Sequence, residues 1–260
     1  MAVSPRGMCA ILLALAAGNT VNASVLATPQ AEFRQTYALA PNGRVAIRNL
    51  YGDVRITGWD RDEVRVEAIK RSADARRLDD AKIIVDSSAG SLSIQTQYAG
   101  LDAEHPARVE YRITVPRGAN LEDVKLINGG LSISGVTGPV KASSVNGSIK
   151  AENLEGQADL STVNGELEAG FNRISRQNPI SLSSVNGPIR LSIPAGSGAS
   201  VNARNLSGGI VSEFGRVIRT SGAHNLQTVV HGGGATIHLH NVNGGISIHA
   251  GWRRAVHPVS

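Results

Sequence analysis

The sequence predicts an all-β chain that folds as a β-solenoid of right-handed type, with two-strand coils of about 18 residues and an N-terminal β-rich cap. Three observations carry that expectation. Glycine returns every nine residues, at Gly138, Gly147, Gly156 and Gly165. Between the glycines, apolar and polar residues alternate with the period of a strand that buries one face. Asparagine keeps a slower beat, Asn128, Asn146 and Asn164 standing 18 residues apart, so two unlike nine-residue halves make one unit. The alternative is an antiparallel β-meander or sandwich, because Asn-Gly also suits the type I′ turn of a hairpin.

The chain of 260 residues opens with a segment that reads as a signal peptide over residues 1–27. Arg6 supplies a basic start, and Cys9 to Ala17 is an apolar run too short to cross a bilayer. Val25-Leu26-Ala27 fits the small-x-small rule for cleavage after Ala27, with Ala23 as a second position. Cys9 stands at the start of the apolar run, where a lipid-anchor cysteine would stand at its end, so no lipid anchor is expected. It is also the single cysteine, which leaves the processed chain without disulfides or thiolate ligands. The expected location is outside the cytoplasm, periplasmic or at the cell surface. No later stretch reaches the ~18 apolar residues of a spanning helix, so an integral membrane protein is not expected.

Residues 28–120 are the β-rich segment expected to cap the solenoid. Its strands alternate cleanly, with Val45/Ile47, Val54/Ile56 and Val64/Val66 facing inward. A short helix is expected after Ser72, through "ADARRLDD". The run "AKIIVDSSAGSLSIQTQY" then reads as a hairpin, and "ARVEYRITVP" as one more strand ended by Pro116. The capping role follows from the aggregation risk of an open sheet edge. "NLYGDVRITG" in this segment echoes "LINGGLSISG" further on, which implies a shared sheet geometry.

Residues 121–251 are the repeat proper, and 252–260 a C-terminal tail in which Trp252 is placed to cover the last coil. Counting nine-residue units from residues 129, 138, 147, 156 and 178, positions 3, 5 and 8 are apolar throughout. In order they read Leu131/Ile133/Val136, Val140/Ala142/Val145, Ile149/Ala151/Leu154, Ala158/Leu160/Val163 and Ile180/Leu182/Val185. Asn186 resumes the asparagine beat after the insertion "NRISRQN". A meander would set Val145, Leu154 and Val163 on its wetter face, so their apolarity favours the solenoid. On that basis position 8 is expected to be buried, and Val163→Asp to destabilise the fold by burying an unpaired carboxylate.

An exported leader, "YGDVRITGWDRDEVRVEAIKR", the strand "YRITVPRGANL", successive NG-x-I/L strands, "LSIPAG" and "HGGGATIHLHNVNGGISI" together resemble the bacterial putative-adhesin family of β-strand-repeat proteins, over about residues 33–250. The resemblance implies an exported or surface-associated, non-enzymatic β-repeat protein. It brings no catalytic residues. The "RISRQN" insertion and the histidine-rich end depart from the simplest repeat.

Asn128, Asn146, Asn164 and Asn186 are the first candidate site, as amides presented in a row to a glycan. The structural explanation is stronger: a turn ladder in which the asparagines adopt positive φ at a bend and bond from coil to coil. Six of the seven histidines follow residue 220. His238 and His240 share one strand face and are half of a zinc or copper site, but no acidic residue lies between Glu213 and the C-terminus. Outward-facing polar residues are the expected explanation, with no metal and no cofactor. "WDRDE" lacks the oxygen spacing of a calcium loop, and the glycine units lack the aspartate of calcium-binding nonapeptide repeats. Trp59 is expected to pack at an edge.

Catalytic residues are not expected. "GSGAS" and "HGGGA" neither open a helix nor meet a G-x-S-x-G partner. Asp159, Glu166 and Glu168 are scattered among serines and do not form the facing carboxylate pair of glycoside chemistry. A 3% aromatic content argues against nucleic acid as partner, since single strands are held by stacking. A formal charge of +5 biases the chain toward anionic envelope polymers. The expected function is a surface or envelope binding module of adhesin type, with a glycan, lipid head group or protein as ligand. A polysaccharide-active β-helix enzyme and a structural envelope scaffold are the alternatives.

Overall fold

The computed structural model describes residues 28–88, 90–99, 106–214, 218–220 and 223–251. The leader expected over residues 1–27, with its expected cleavage positions, and the expected tail with Trp252 and His257 lie outside the described residues. Twenty-one strands are present among them. The first are β1 (Gln30–Ala38), β2 (Arg44–Tyr51), β3 (Val54–Trp59) and β4 (Glu63–Arg71). A single 3-10 turn, Ala75–Leu78, follows where a short helix is expected, started by the Asp74 carboxylate accepting from the Arg76 N–H at 3.0 Å. The antiparallel hairpin β5 (Ala81–Ser88) and β6 (Ser91–Tyr98) comes next.

The succession then runs β7 (Arg108–Pro116), β8 (Asn120–Asn128), β9 (Leu131–Ser134), β10 (Val140–Asn146), β11 (Ile149–Leu154), β12 (Ala158–Asn164), β13 (Leu167–Phe171), β14 (Ile180–Asn186) and β15 (Ile189–Ile193). The last six are β16 (Ala199–Ser207), β17 (Ile210–Ser212), β18 (Ile218–Thr220), β19 (Ala223–Val230), β20 (Ala235–Asn243) and β21 (Ile246–Ala250).

The strands form two sheets. One runs β1-β4-β7-β3-β9-β11-β13-β15-β21-β17, the other β18-β19-β16-β20-β14-β12-β10-β8-β2-β6-β5. Each coil gives one strand to each sheet, and coil stacks on coil through parallel ladders, as in β10 on β12 and β11 on β13. A meander would require antiparallel neighbours there, so the parallel ladders overturn that alternative. Antiparallel strands appear at the ends, where β5 covers β6, β4 and β1 cover β7, and β19 and β18 cover β16.

The stacking order is not the chain order. The coil β2–β3 lies between β6–β7 and β8–β9, and the coil β20–β21 lies between β14–β15 and β16–β17. Residues 28–120 therefore supply two whole coils as well as the strands that close one end. The sequence echo has a direct cause: Val54 and Ile56 stand in register beside Leu131 and Ile133.

The core is the continuous space between the sheets. Val45, Ile47, Ile56, Val64 and Val66 are fully buried in it, as are Leu160, Ile149 and Leu191 further along. Small side chains such as Ala142, Ala151 and Ala169 are buried in it beside the larger ones. One polar network is sealed inside near the N-terminal end. The Thr96 hydroxyl donates to Asn49 Oδ1 at 2.9 Å and lies 2.7 Å from the Tyr111 hydroxyl, while Asn49 Nδ2 donates to the Gly52 and Val109 carbonyls at 2.9 Å. Every member has a partner, which makes so buried a set of polar groups tolerable.

The nine-residue glycine beat marks the two corners of each coil. At one corner, a Cβ on Gly147 would overlap the carbonyl of Gly129, one on Gly165 that of Gly147, and one on Gly187 that of Gly165. At the other, Gly156 stands on the Gly138 carbonyl in the same way. Glycine is required because backbone passes over backbone, with no room for a side chain.

Candidate functional site

The outer face of the sheet containing β8, β10, β12 and β14 presents one residue pattern from coil to coil. Asn146 Nδ2 donates to Asn128 Oδ1, Asn164 to Asn146 and Asn186 to Asn164, each at 2.9 Å. Asn243 on β20 continues the row, donating to Asn186 at 3.0 Å. It escapes sequence reasoning because it follows Asn186 by 57 residues, although the shared "VNG" was the available signal. Tyr51 and Ser207 occupy the same register at the two ends.

The sequence leads one to expect positive φ at the asparagines, and the structure corrects this: Asn128, Asn146, Asn164 and Asn186 do not carry it. Among the described non-glycine residues only Asn153 and His231 do; at this corner the left-handed conformation falls on the glycines, as at Gly165 and Gly187. Glycine has no Cβ to oppose that conformation, so asparagine is left free to donate sideways.

Beside the asparagine ladder runs an apolar stripe. Ile127, Val145, Val163, Val185 and Leu206 are 38% to 58% exposed, each immediately before its ladder position, and half-buried Leu50 and Val242 lie in the same row. This corrects the expectation that position 8 is buried. In β10, β12 and β14 strict alternation turns positions 3, 5 and 7 inward and position 8 outward. In the other half of the coil, position 8 does face the core: Val136 and Leu154 are buried.

Position 7 makes the difference. There Gly135 and Asn153 take φ of 70° and 55°, which slips the strand's phase by one residue. Its counterparts Ser144, Thr162 and Ser184 remain extended and buried. Ser144 and Thr162 donate to the Gly129 and Gly147 carbonyls at 3.3 and 2.9 Å, closing the glycine corner from within.

The remaining outward positions of this face are polar. Lys125, Ser143, Ser161, Ser183, His240 and Arg204 stand in one row, with Lys141, Asp159, Ser181 and His238 in the next. His238 and His240 do share a face, with serines, Asn202 and Arg204 as neighbours in register. His249 lies on the opposite sheet, its Nδ1 3.3 Å from Glu213 Oε1. Among the described residues no three His, Cys, Asp or Glu side chains are grouped to hold a metal ion. At one margin, Asp123 is partly desolvated by burial, but hydrogen bonds from Lys125 and Arg48 outweigh that and hold its carboxyl below the usual range.

Elsewhere, Trp59 sits at its strand end with its indole N–H donating to the Glu63 carbonyl at 2.8 Å, and the guanidiniums of Arg61 and Arg65 each 5.0 Å from the ring centre. Its face is occupied by the chain's own cations. Glu166 pairs with Arg190, Glu168 and Glu152 with Lys150, and Asp159 stands alone in its row, so these acids do not converge.

A family profile described as Toastrack DUF4097 matches residues 35–249, nearly all of the stacked coils. The chain belongs to the Toastrack DUF4097 family. Solved structures resemble this Toastrack chain at low identity. A putative cell adhesion protein from Clostridium sporogenes is 13% identical over 84% of this chain and 99% of its own, with a TM-score of 0.48. A putative adhesin from Bacteroides fragilis is 10% identical over 84% and 96%, with a TM-score of 0.36. A putative lipid binding protein from Parabacteroides distasonis is 11% identical over 84% and 96%, with a TM-score of 0.32. No curated protein matches this Toastrack sequence. Among the described residues no helix is long and apolar enough to cross a membrane.

Proposed function

We propose that this Toastrack chain is an exported, non-enzymatic binding module of the cell envelope that engages an extended partner along the outer face of β8, β10, β12, β14 and β20. The observation that carries this reading is the exposed apolar stripe from Ile127 to Leu206, bordered by the asparagine ladder. Exposed valines one above another, at the spacing of adjacent strands, do nothing for the core. They offer a partner the same small apolar contact at each coil, and each ladder asparagine retains a second amide proton for it. Many weak contacts on one rigid body give useful avidity without a pocket. The leader expected over residues 1–27 and the scattered placement of the acids support export and binding over catalysis.

The test is binding of the purified chain to envelope fractions, titrated with salt and compared with the triple variant Val145→Lys, Val163→Lys, Val185→Lys. Saturable binding that survives salt and is lost in the variant is the expected result. Binding equal in both proteins would remove the stripe as the site, and binding abolished by modest salt would leave only charge attraction.

A further inference from the structure

The opposite sheet carries a feature that the stripe does not involve. On its outer face Arg112 of β7, Arg55 of β3, Ser132 of β9 and Lys150 of β11 stand side by side in register on four adjacent strands. The strands are about 4.8 Å apart, so Arg55 and Lys150 flank the short Ser132 side chain at about 10 Å from each other. The result is an open groove of about 300 Å³ lined by three cations, by the hydroxyls of Ser132 and Ser148, and at one end by the carboxylates of Asp53 and Glu110.

The nearby carboxylates are engaged elsewhere. Glu110, which lines the groove, bonds Arg71 through both oxygens at 2.8 Å; Glu67, in register beside Arg112, bonds Arg34 at 2.9 Å; and Asp53, which also lines the groove, accepts the Gly130 N–H at 2.8 Å. Lys150 pairs with Glu152 of its own strand at 2.8 Å and with Glu168 of β13, the strand on the side away from Ser132, at 3.8 Å. Among the described residues neither the Arg55 nor the Arg112 guanidinium has a hydrogen bond or ion pair, and Ser132 Oγ is likewise without a partner. Two like charges directly opposite one another on neighbouring strands repel and weaken the sheet. An oxyanion between them would reverse that effect, since a guanidinium fork matches phosphate oxygens two at a time.

We propose that the Arg55–Arg112–Ser132–Lys150 groove is a binding site for a phosphate monoester, either free in solution or as the head group of an anionic lipid. The phosphate lies over Ser132 Oγ with Arg55 and Arg112 on one side and the Lys150 ammonium on the other. The site is independent of the stripe and lies on the other sheet, so failure of either leaves the other standing.

The purified chain is titrated with inorganic phosphate while the arginine side-chain NMR signals are followed, and floated with vesicles of phosphatidylcholine carrying phosphatidic acid. The same measurements are made on Arg55→Gln/Arg112→Gln and on Lys141→Gln/Arg204→Gln, which removes the same charge from the opposite sheet. Saturable binding that weakens about tenfold or more in the first variant and stays within about twofold in the second supports the site. Shifts with phosphate but no flotation identify a soluble phosphate; flotation that phosphate displaces identifies the lipid head group. Equal weakening in both variants, or no saturable binding to either probe, overturns the proposal.

Discussion

Replacing Gly147 by alanine tests the reason for the glycine beat. The added methyl would lie 2.6 Å from the Gly129 carbonyl carbon and 3.1 Å from Ser144 Oγ, and would overlap the carbonyl oxygen outright. Carbon contacts are comfortable from about 3.5 Å, so the corner must open by about 1 Å. The main-chain bonds at stake are those from the Gly129 N–H to the Asn146 carbonyl at 3.0 Å and from the Gly147 N–H to the Asn164 carbonyl at 2.9 Å.

Overpacking costs about 1–3 kcal/mol, and each weakened hydrogen bond about 0.5–1.5 kcal/mol. Loss of glycine's freedom in the unfolded chain offsets about 0.4–1 kcal/mol. The expected net loss is about 3 kcal/mol, which for a chain of this size lowers Tm by about 10 °C. Gly209→Ala is the matched comparison, because nothing lies within 4 Å of a Cβ there and the backbone is not left-handed; it should be neutral within about 0.5 kcal/mol or slightly stabilising. Thermal and urea unfolding of both variants provide the measurement. If Gly147→Ala unfolds at the same midpoint as Gly209→Ala, close backbone approach is not why the chain uses glycine at its corners.

Leu160→Ala should cost about 2–5 kcal/mol in urea unfolding, because its side chain is fully buried between the sheets. Val163→Asp, three residues on and 40% exposed, should cost less than about 1 kcal/mol, and equal losses would refute the alternation described for β12. Asn164→Ala removes the bonds to both ladder neighbours and should cost about 1–2 kcal/mol by the same measurement. Burial pushes the Tyr111 hydroxyl up to about 12, against a hydrogen bond with Thr96 that lowers it, and burial raises Tyr98 as well. The neutral phenol is therefore favoured by folding. Its contribution to stability is complete below pH ~10 and is lost as pH rises through about 12; phenolate absorbance should lag for these two side chains until the chain unfolds in alkali.

Much of the architecture was legible because it depends on local periodicity. Alternating residues such as Val140, Ala142, Leu160 and Leu182 can only be one face of a strand. A glycine beat without aspartate points to stacked backbone and away from bound calcium. The phase of each strand end was less legible. Val145 and Leu154 occupy the same repeat position, yet one is outside and one inside, because Asn153 turns left-handed where Ser144 does not. Sequence shows Ser, Thr, Gly or Asn at position 7 but not which of them will change the strand's phase, since all tolerate turns. The stripe of the candidate site was missed for that reason.

By itself, the sequence determined that this chain would be all strand, stacked coil on coil, with glycine at the corners and asparagine beside them. These features follow from contacts that recur at short, constant separation. Only the tertiary structure decided that β2–β3 and β20–β21 slot between coils distant in the chain, extending the ladder to Asn243 and setting Arg55 beside Arg112. Those juxtapositions join residues up to 77 positions apart. Which coil neighbours which depends on how whole coils share one core and close its ends, and no local pattern of residue types records that.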